Sequence, residues 1–374
     1  MTATPEIQIP QEILPADGRF GSGPSKVRPE AVTALADMSR SQLGTSHRQK
    51  PVKSLVADLQ KGLRQMFGLP DNYEVILGNG GTTVFWDALT FGMIQQKSQH
   101  LSFGEFSSKF AAAAAAAPFL DEPQVITSET GTHPQAESAD DIDFYALTHN
   151  ETSTGVMMDI FRPRGAAGIV AVDATSGAGG LRVDPSQYDC YYFAPQKGLA
   201  SDGGLWFAIM SPAGVQRVEQ IKNSGRWMPA SIDISIALEN SRLNQTYNTP
   251  ALATIFLAFH QVNWINENGG LDWAAGRSER SSEILYGWAE RSDYATPYVA
   301  KPDERSRVTG VIDLDPRVDA NTLCTVLRQN GIVDIDGYRK LGRNQIRIAM
   351  FPAIDSSDIE ALTNCIDHVA GKIG

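Results

Sequence analysis

Lys197 lies in YDCYYFAPQKGLASDGGLWFAIM (residues 188–210), after an aromatic, strand-like run and before small residues and the Gly203–Gly204 pair. An amine stripped of water near positive charge is held neutral and becomes a nucleophile for carbonyl carbon. Asp173 ends another apolar run, GIVAVD. A carboxylate there is costly unless it is paired or used. Holding a ring nitrogen protonated is one such use, and capping the following segment is the structural alternative. The third element is YEVILGNGG (73–81), with Gly78, Gly80 and Gly81 leading into Thr82 and Thr83. Bare backbone N–H groups at a helix start can close on a phosphate, although a tight strand-to-helix turn demands glycine by geometry alone. The spacing is not the GxGxxG of dinucleotide sites.

An aldehyde for Lys197, a ring nitrogen for Asp173 and a phosphate for the glycine turn together describe one cofactor, pyridoxal phosphate. A fourth feature is YRKLGRNQIR (338–347), which holds Arg339, Lys340, Arg343 and Arg347 and no acid, in a chain of net charge −11. It is an anion-binding candidate, with a solvated basic face as the alternative.

These residues need a scaffold that gathers them. Apolar runs at 73–77, 143–148, 168–173 and 191–194 each end in a polar or glycine-rich turn, and helical patterns intervene, as in an α/β fold with a mainly parallel sheet flanked by helices. Ligands collect at the carboxyl ends of such strands, so the four turns are expected to line one cleft. After about residue 251 the pattern becomes two long helices, a strand at 306–314, a helix at 321–331 and a strand at 345–351. The expected organisation is an extended arm over 1–17, a large cofactor-binding domain over 18–255 and a smaller α+β domain over 256–374.

Several functions are disfavoured. The acidic charge argues against a nucleic-acid partner. The alanine-rich run at 110–120 is helix-forming and too short to span a bilayer, so no membrane partner is expected. No basic residue precedes Arg19, and Pro5, Pro10 and Pro15 interrupt the start, unlike a secretion or transit signal. Cys190, Cys324 and Cys365 are scattered, without CxxC, as expected of core thiols in a reduced cytoplasmic protein with no structural zinc. HExxH is also missing, so no metal is expected.

Nearly the whole chain resembles the class V aminotransferases on the fold-type I scaffold, and among them the phosphoserine-forming branch in its actinobacterial form. The resemblance is carried by GRFGSGPSKV, GTSHRQKP, GNGGTTVFWDA, HNETSTG, VDATSGAGG, FAPQKGLASDGG, TYNTP and GYRKLGRNQIRIAMFP. It implies that Lys197 bonds the cofactor aldehyde, that Asp173 pairs with the pyridinium, and that Gln196 and the Gly81–Thr82–Thr83 turn hold the phosphate. Thr152 is implied beside the ring hydroxyl and Phe106 on the ring face. Asn248 and Thr249 are implied to reach the phosphate from the other subunit of a homodimer. Arg48 and Arg347 match anion-binding positions, and His47 and Arg339 match positions that gather a substrate phosphate, Arg339 from the partner chain. Two positions depart from the pattern: GGTTVF lacks the arginine that often follows the glycines, and Tyr338 stands where others have histidine.

The implied reaction exchanges the amino group of L-glutamate with 3-phosphohydroxypyruvate, giving O-phospho-L-serine and 2-oxoglutarate. Other class V chemistry, such as alanine– or serine–glyoxylate transamination or cysteine desulfuration, is the alternative. A desulfurase needs a mobile cysteine, whereas Cys324 and Cys365 sit in core-like helical stretches, and glyoxylate exchange does not require the cationic cluster. A non-catalytic nucleotide-binding protein would leave Asp173 and Lys197 without a role.

Overall fold

The structure, a computed structural model, describes residues 5–373. Its central sheet contains β1 (Glu74–Gly80), β2 (Ser98–Ser102), β3 (Gln124–Thr127) and β4 (Phe144–Thr148). After a hairpin of β5 (Asn150–Glu151) and β6 (Val156–Met157), the sheet gains β7 (Ile169–Asp173), β8 (Cys190–Phe193) and β9 (Gly204–Met210). The strand order is β1-β9-β8-β7-β4-β2-β3. Only β9 is reversed, antiparallel to both β1 and β8, so β1, β4, β7 and β8 all point the same way. The four turns anticipated from sequence therefore leave the same edge of the sheet.

β4 and β7 are buried along their whole length because both faces of the sheet are covered, which explains their unbroken apolar sequences. Tyr145, Val172 and Tyr191 point to one core, and Phe144, Ala171 and Tyr192 to the other, with the two-residue period of a strand. The first core includes residues of α2 (Lys50–Met66) and α7 (Leu252–Glu267), the second those of α3 (Thr82–Gly92), α4 (Glu105–Ala115), α5 (Pro212–Asn223) and α6 (Ile234–Arg242). α1 (Pro29–Met38) lies on α7. Local chemistry sets helix starts: Ser211 Oγ accepts from the Gly214 amide at 3.1 Å and Asp233 from the Ser235 amide at 2.8 Å.

A third core forms around the antiparallel sheet β10 (Ala295–Pro297), β11 (Thr309–Leu314) and β12 (Gln345–Ala349), with α9 (Ala320–Gln329) and α10 (Ser356–Ile373). The long α8 (Gly270–Arg291) joins this core to the first: Ala274 packs in the first core, Leu285 and Trp288 in the C-terminal one. The N-terminal stretch also belongs here. Ile7, Ile9 and Phe20 are buried in the C-terminal core, and the Ala16 amide donates to Asp358 Oδ1 at 2.8 Å. Residues 1–4 of the expected arm lie outside the described part. Among the described residues, no helix is long and apolar enough to cross a membrane, and no cluster of potential metal ligands occurs.

Candidate active site

Lys197 follows β8 in a turn with no slack. A Cβ on Gly198 would lie 2.3 Å from the Ala178 carbonyl oxygen, and Ala200 adopts φ 44°. The segment that leaves the C-terminal core after Phe20 lies directly over it. Lys197 Nζ donates to the Ser22 carbonyl, Ser25 Oγ donates to the Lys197 carbonyl at 2.6 Å, and the Ser25 amide donates to the Gln196 carbonyl at 3.0 Å. Gly23, at φ 137°, leaves room for the amine, since a Cβ there would sit 1.9 Å from Nζ. Burial first, and then the nearby Arg347 cation, push the Lys197 amine down to about 8, with Asp173 opposing.

Asp173 ends β7 fully enclosed. Its Oδ1 accepts from the Thr175 amide at 2.9 Å and from Thr175 Oγ1 at 2.5 Å, while Oδ2 accepts from Trp86 Nε1 at 2.9 Å. Burial raises its carboxyl above the ordinary range and these donors pull the other way. No lysine or arginine forms a salt bridge with it among the described residues, so its charge is free to pair with a bound cation.

Phe106 stands in the first turn of α4, fixed by a buried carboxylate. Glu151, in β5, accepts from the Phe106 amide at 3.2 Å and from the Ser107 amide and hydroxyl at 2.9 Å each, all on Oε2, and from Ser153 Oγ on Oε1 at 2.7 Å. Its carboxylate therefore caps the positive end of α4. Gly104 makes space for it, because a Cβ there would lie 2.3 Å from Glu151 Cγ. Gly104→Ala is expected to destabilise the protein by about 1–3 kcal/mol through overpacking, read as a lowered thermal midpoint together with weaker cofactor retention. An unchanged midpoint would show that Glu151 can yield.

The glycine turn at the end of β1 leads straight into α3. Gly81 has φ 142° and open space where a Cβ would project, Thr82 is buried in the first turn, and Thr83 is exposed. Thr152 Oγ1 donates to Ser176 Oγ at 2.7 Å, and Asn150 Nδ2 donates to the same hydroxyl at 2.9 Å. Ser22 Oγ, Asn150 Oδ1 and Gln196 Oε1 are buried without a partner, as groups waiting for a polar ligand would be. An enclosed carboxylate without a cation, a lysine depressed to about 8 and these orphaned atoms fit pyridoxal phosphate.

Arg347 of β12 faces the same site. Its guanidinium is largely buried, has no carboxylate partner among the described residues, and donates to the Thr152 carbonyl at 3.4 Å. Beside it opens a crevice of about 1410 Å³ lined by Ser22, Gly23, Tyr338, Arg339, Lys340 and Arg343, among others. Of that basic run, Arg343 is tied to Asp313 at 2.6 Å, whereas Arg339 is exposed. The single chain does not bring every expected residue together. His47 and Arg48 stand in a turn before α2, Arg48 exposed and His47 with an unpaired, buried Nε2, and Asn248 and Thr249 are exposed. No side-chain hydrogen bond links these four to Lys197, Asp173 or Arg347.

Sequence reasoning passed over Trp86, Glu151, Thr175, Ser176 and Ser22. Trp86 had a signal, since it lies one helical turn after Thr82 and so on the same face of α3. Ser22 and Glu151 had none, because their partners lie 175 and 44 or 45 positions away in the chain.

A family model described as aminotransferase class V matches residues 19–362. Phosphoserine aminotransferase of Rhodococcus jostii (strain RHA1) is 54% identical over 100% of both chains, and that of Nocardioides sp. (strain ATCC BAA-499 / JS614) is 56% identical over 99% of this chain and 100% of its own. Among solved structures, a phosphoserine aminotransferase from Cytophaga hutchinsonii superposes with a TM-score of 0.85 at 25% identity, covering 96% of this chain and 100% of that one. With a desolvated lysine and an enclosed aspartate at the carboxyl edge of a mainly parallel sheet, Arg347 of β12 facing them, and similarity of this extent, the chain belongs to the class V aminotransferase family.

Proposed function

We propose that the chain is a phosphoserine aminotransferase, moving the amino group of L-glutamate to 3-phosphohydroxypyruvate to give O-phospho-L-serine and 2-oxoglutarate, in serine biosynthesis. The phosphorylated hydroxythreonine of pyridoxine biosynthesis is a second substrate of the same chemistry. The observation that carries this is Lys197, buried under the Ser22–Gly23 backbone and within electrostatic reach of both Arg347 and the enclosed Asp173. Pyridoxal phosphate, when bound, supplies an aldehyde that carries the amino group and a ring that takes up the electron pair left by the departing α-proton.

The chain's own residues do the rest. Asp173 keeps the ring nitrogen protonated. Arg347 holds the α-carboxylate common to all four reactants through paired N–H donors. Lys197 Nζ, in the neutral form that its burial favours, takes the α-proton and delivers it to the carbon that receives the amino group, and it carries a proton the opposite way in the second half of the transfer. Phe106 covers one face of the ring and the Gly81–Thr82–Thr83 turn, with Gln196, holds the phosphate.

The residues that stand apart from the site in the single chain find their role in a homodimer: Asn248 and Thr249 complete the cofactor phosphate site of the other subunit, and His47, Arg48 and Arg339 gather the variable carboxylate or phosphate of the substrate. The three buried free thiols suit a cytoplasmic location.

Adding glutamate to the cofactor-loaded protein is expected to abolish its visible absorption band, and 3-phosphohydroxypyruvate, but not pyruvate or glyoxylate, is expected to restore it. Initial-rate plots should give parallel lines, because both substrates use one site in turn. Restoration by glyoxylate would transfer the chain to another class V activity.

A further inference from the structure

Tyr338 stands where three features of the site meet. The Arg347 guanidinium carbon lies 5.3 Å from the centre of its ring, and the Phe106 ring lies 6.1 Å away at a 56° tilt. Hydrogen bonding does little to aim Arg347, whose side chain has one long bond to the Thr152 carbonyl. We propose that Tyr338 is the positioning residue for Arg347, its ring face fixing the plane in which the guanidinium offers its donors to the substrate carboxylate. This rests on the reading of Arg347 as the carboxylate anchor.

The chemistry favours an aromatic residue for this task. An acid beside Arg347 would hold it firmly but would occupy the N–H groups needed by the substrate. A ring face attracts the cation through its quadrupole and leaves the in-plane N–H donors free.

The ring can act as a fixed surface because the loop that carries it is fastened at several points. The Arg347 amide donates to the Ile335 carbonyl at 2.9 Å, and Asp336 bridges to Ile346. Gly337 packs so closely that a Cβ would lie 2.7 Å from the Gln345 carbonyl oxygen. A short 3-10 turn over Arg339–Leu341 follows, ended by Gly342 at φ 63°, and Lys340 pairs with Glu105 at the start of α4. Since Glu151 fixes the Phe106 amide, one run of contacts joins Glu151, Phe106, Tyr338 and Arg347.

The test is a titration of the cofactor-loaded protein with glutarate, which has both carboxylates of glutamate and no amino group to react, followed by the visible absorption band. Tyr338→Phe is expected to bind within about twofold of the unaltered protein, and Tyr338→Ala about tenfold more weakly. In an Arg347→Ala background, Tyr338→Ala should add nothing, because its effect runs through the missing arginine. The proposal is overturned if Tyr338→Ala binds normally, if Tyr338→Phe is as weak as Tyr338→Ala, or if the tenfold loss persists without Arg347. Normal glutarate binding by Arg347→Ala alone would instead remove the carboxylate-anchor reading, and this inference with it.

Discussion

Lys197→Ala is expected to give a folded protein that binds pyridoxal phosphate without bonding to it and turns over at least about a thousandfold more slowly. The loss should be large because one side chain supplies both the bond to the aldehyde and the proton transfer. Folding should survive, since the amine makes a single hydrogen bond, to the Ser22 carbonyl, and the turn around it is held by Ser25 and Gln196 backbone contacts. Borohydride treatment followed by mass measurement separates the cases: the unaltered protein gains the mass of the reduced cofactor and the variant does not. Normal turnover in the variant would remove Lys197 from the mechanism. The pH dependence of cofactor uptake by the cofactor-free protein is a further sign. An amine lowered to about 8 is mostly protonated below that pH and mostly free above it, so uptake should accelerate up to about pH 8 and then level off. An ordinary lysine would keep accelerating towards its usual value near 10.5.

Asp173→Asn is expected to lower kcat at least about a hundredfold while preserving the fold, because the amide has nearly the shape of the carboxylate and none of its charge. Unpaired, an enclosed carboxylate is a cost to the protein, and hydrogen bonds from Thr175 and Trp86 offset only part of it. A cationic ring nitrogen removes that cost and is itself stabilised. The substitution has a second, signed consequence. Asp173 favours the protonated form of Lys197, so its loss should move the uptake midpoint to lower pH, below about 8. An unchanged kcat together with an unmoved midpoint would mean that Asp173 only caps its turn.

The amino-acid sequence by itself determined the strands and the ends at which chemistry gathers. An apolar run stopping at Asp173, another stopping just before Lys197, and glycines opening onto Thr82 are local patterns, legible because burial imposes its period on consecutive residues. The same patterns named the cofactor, and the resemblance added the family, which the matching family model and the full-length relatives establish.

Tertiary structure decided what surrounds those residues. Ser22 reaches Lys197 across 175 positions, Trp86 reaches Asp173 across 87, and Lys340 reaches Glu105 across 235. It also decided that Ile7 and Ile9, in the stretch that reads as an arm, pack with Phe20 in the C-terminal core, and that the chain beyond Phe20 delivers Ser22 and Gly23 to the lysine. Such contacts leave no periodic trace, since they depend on how two separately patterned surfaces meet. The chemistry of each group was local, and its solvation and aim were fixed only when distant segments closed around it.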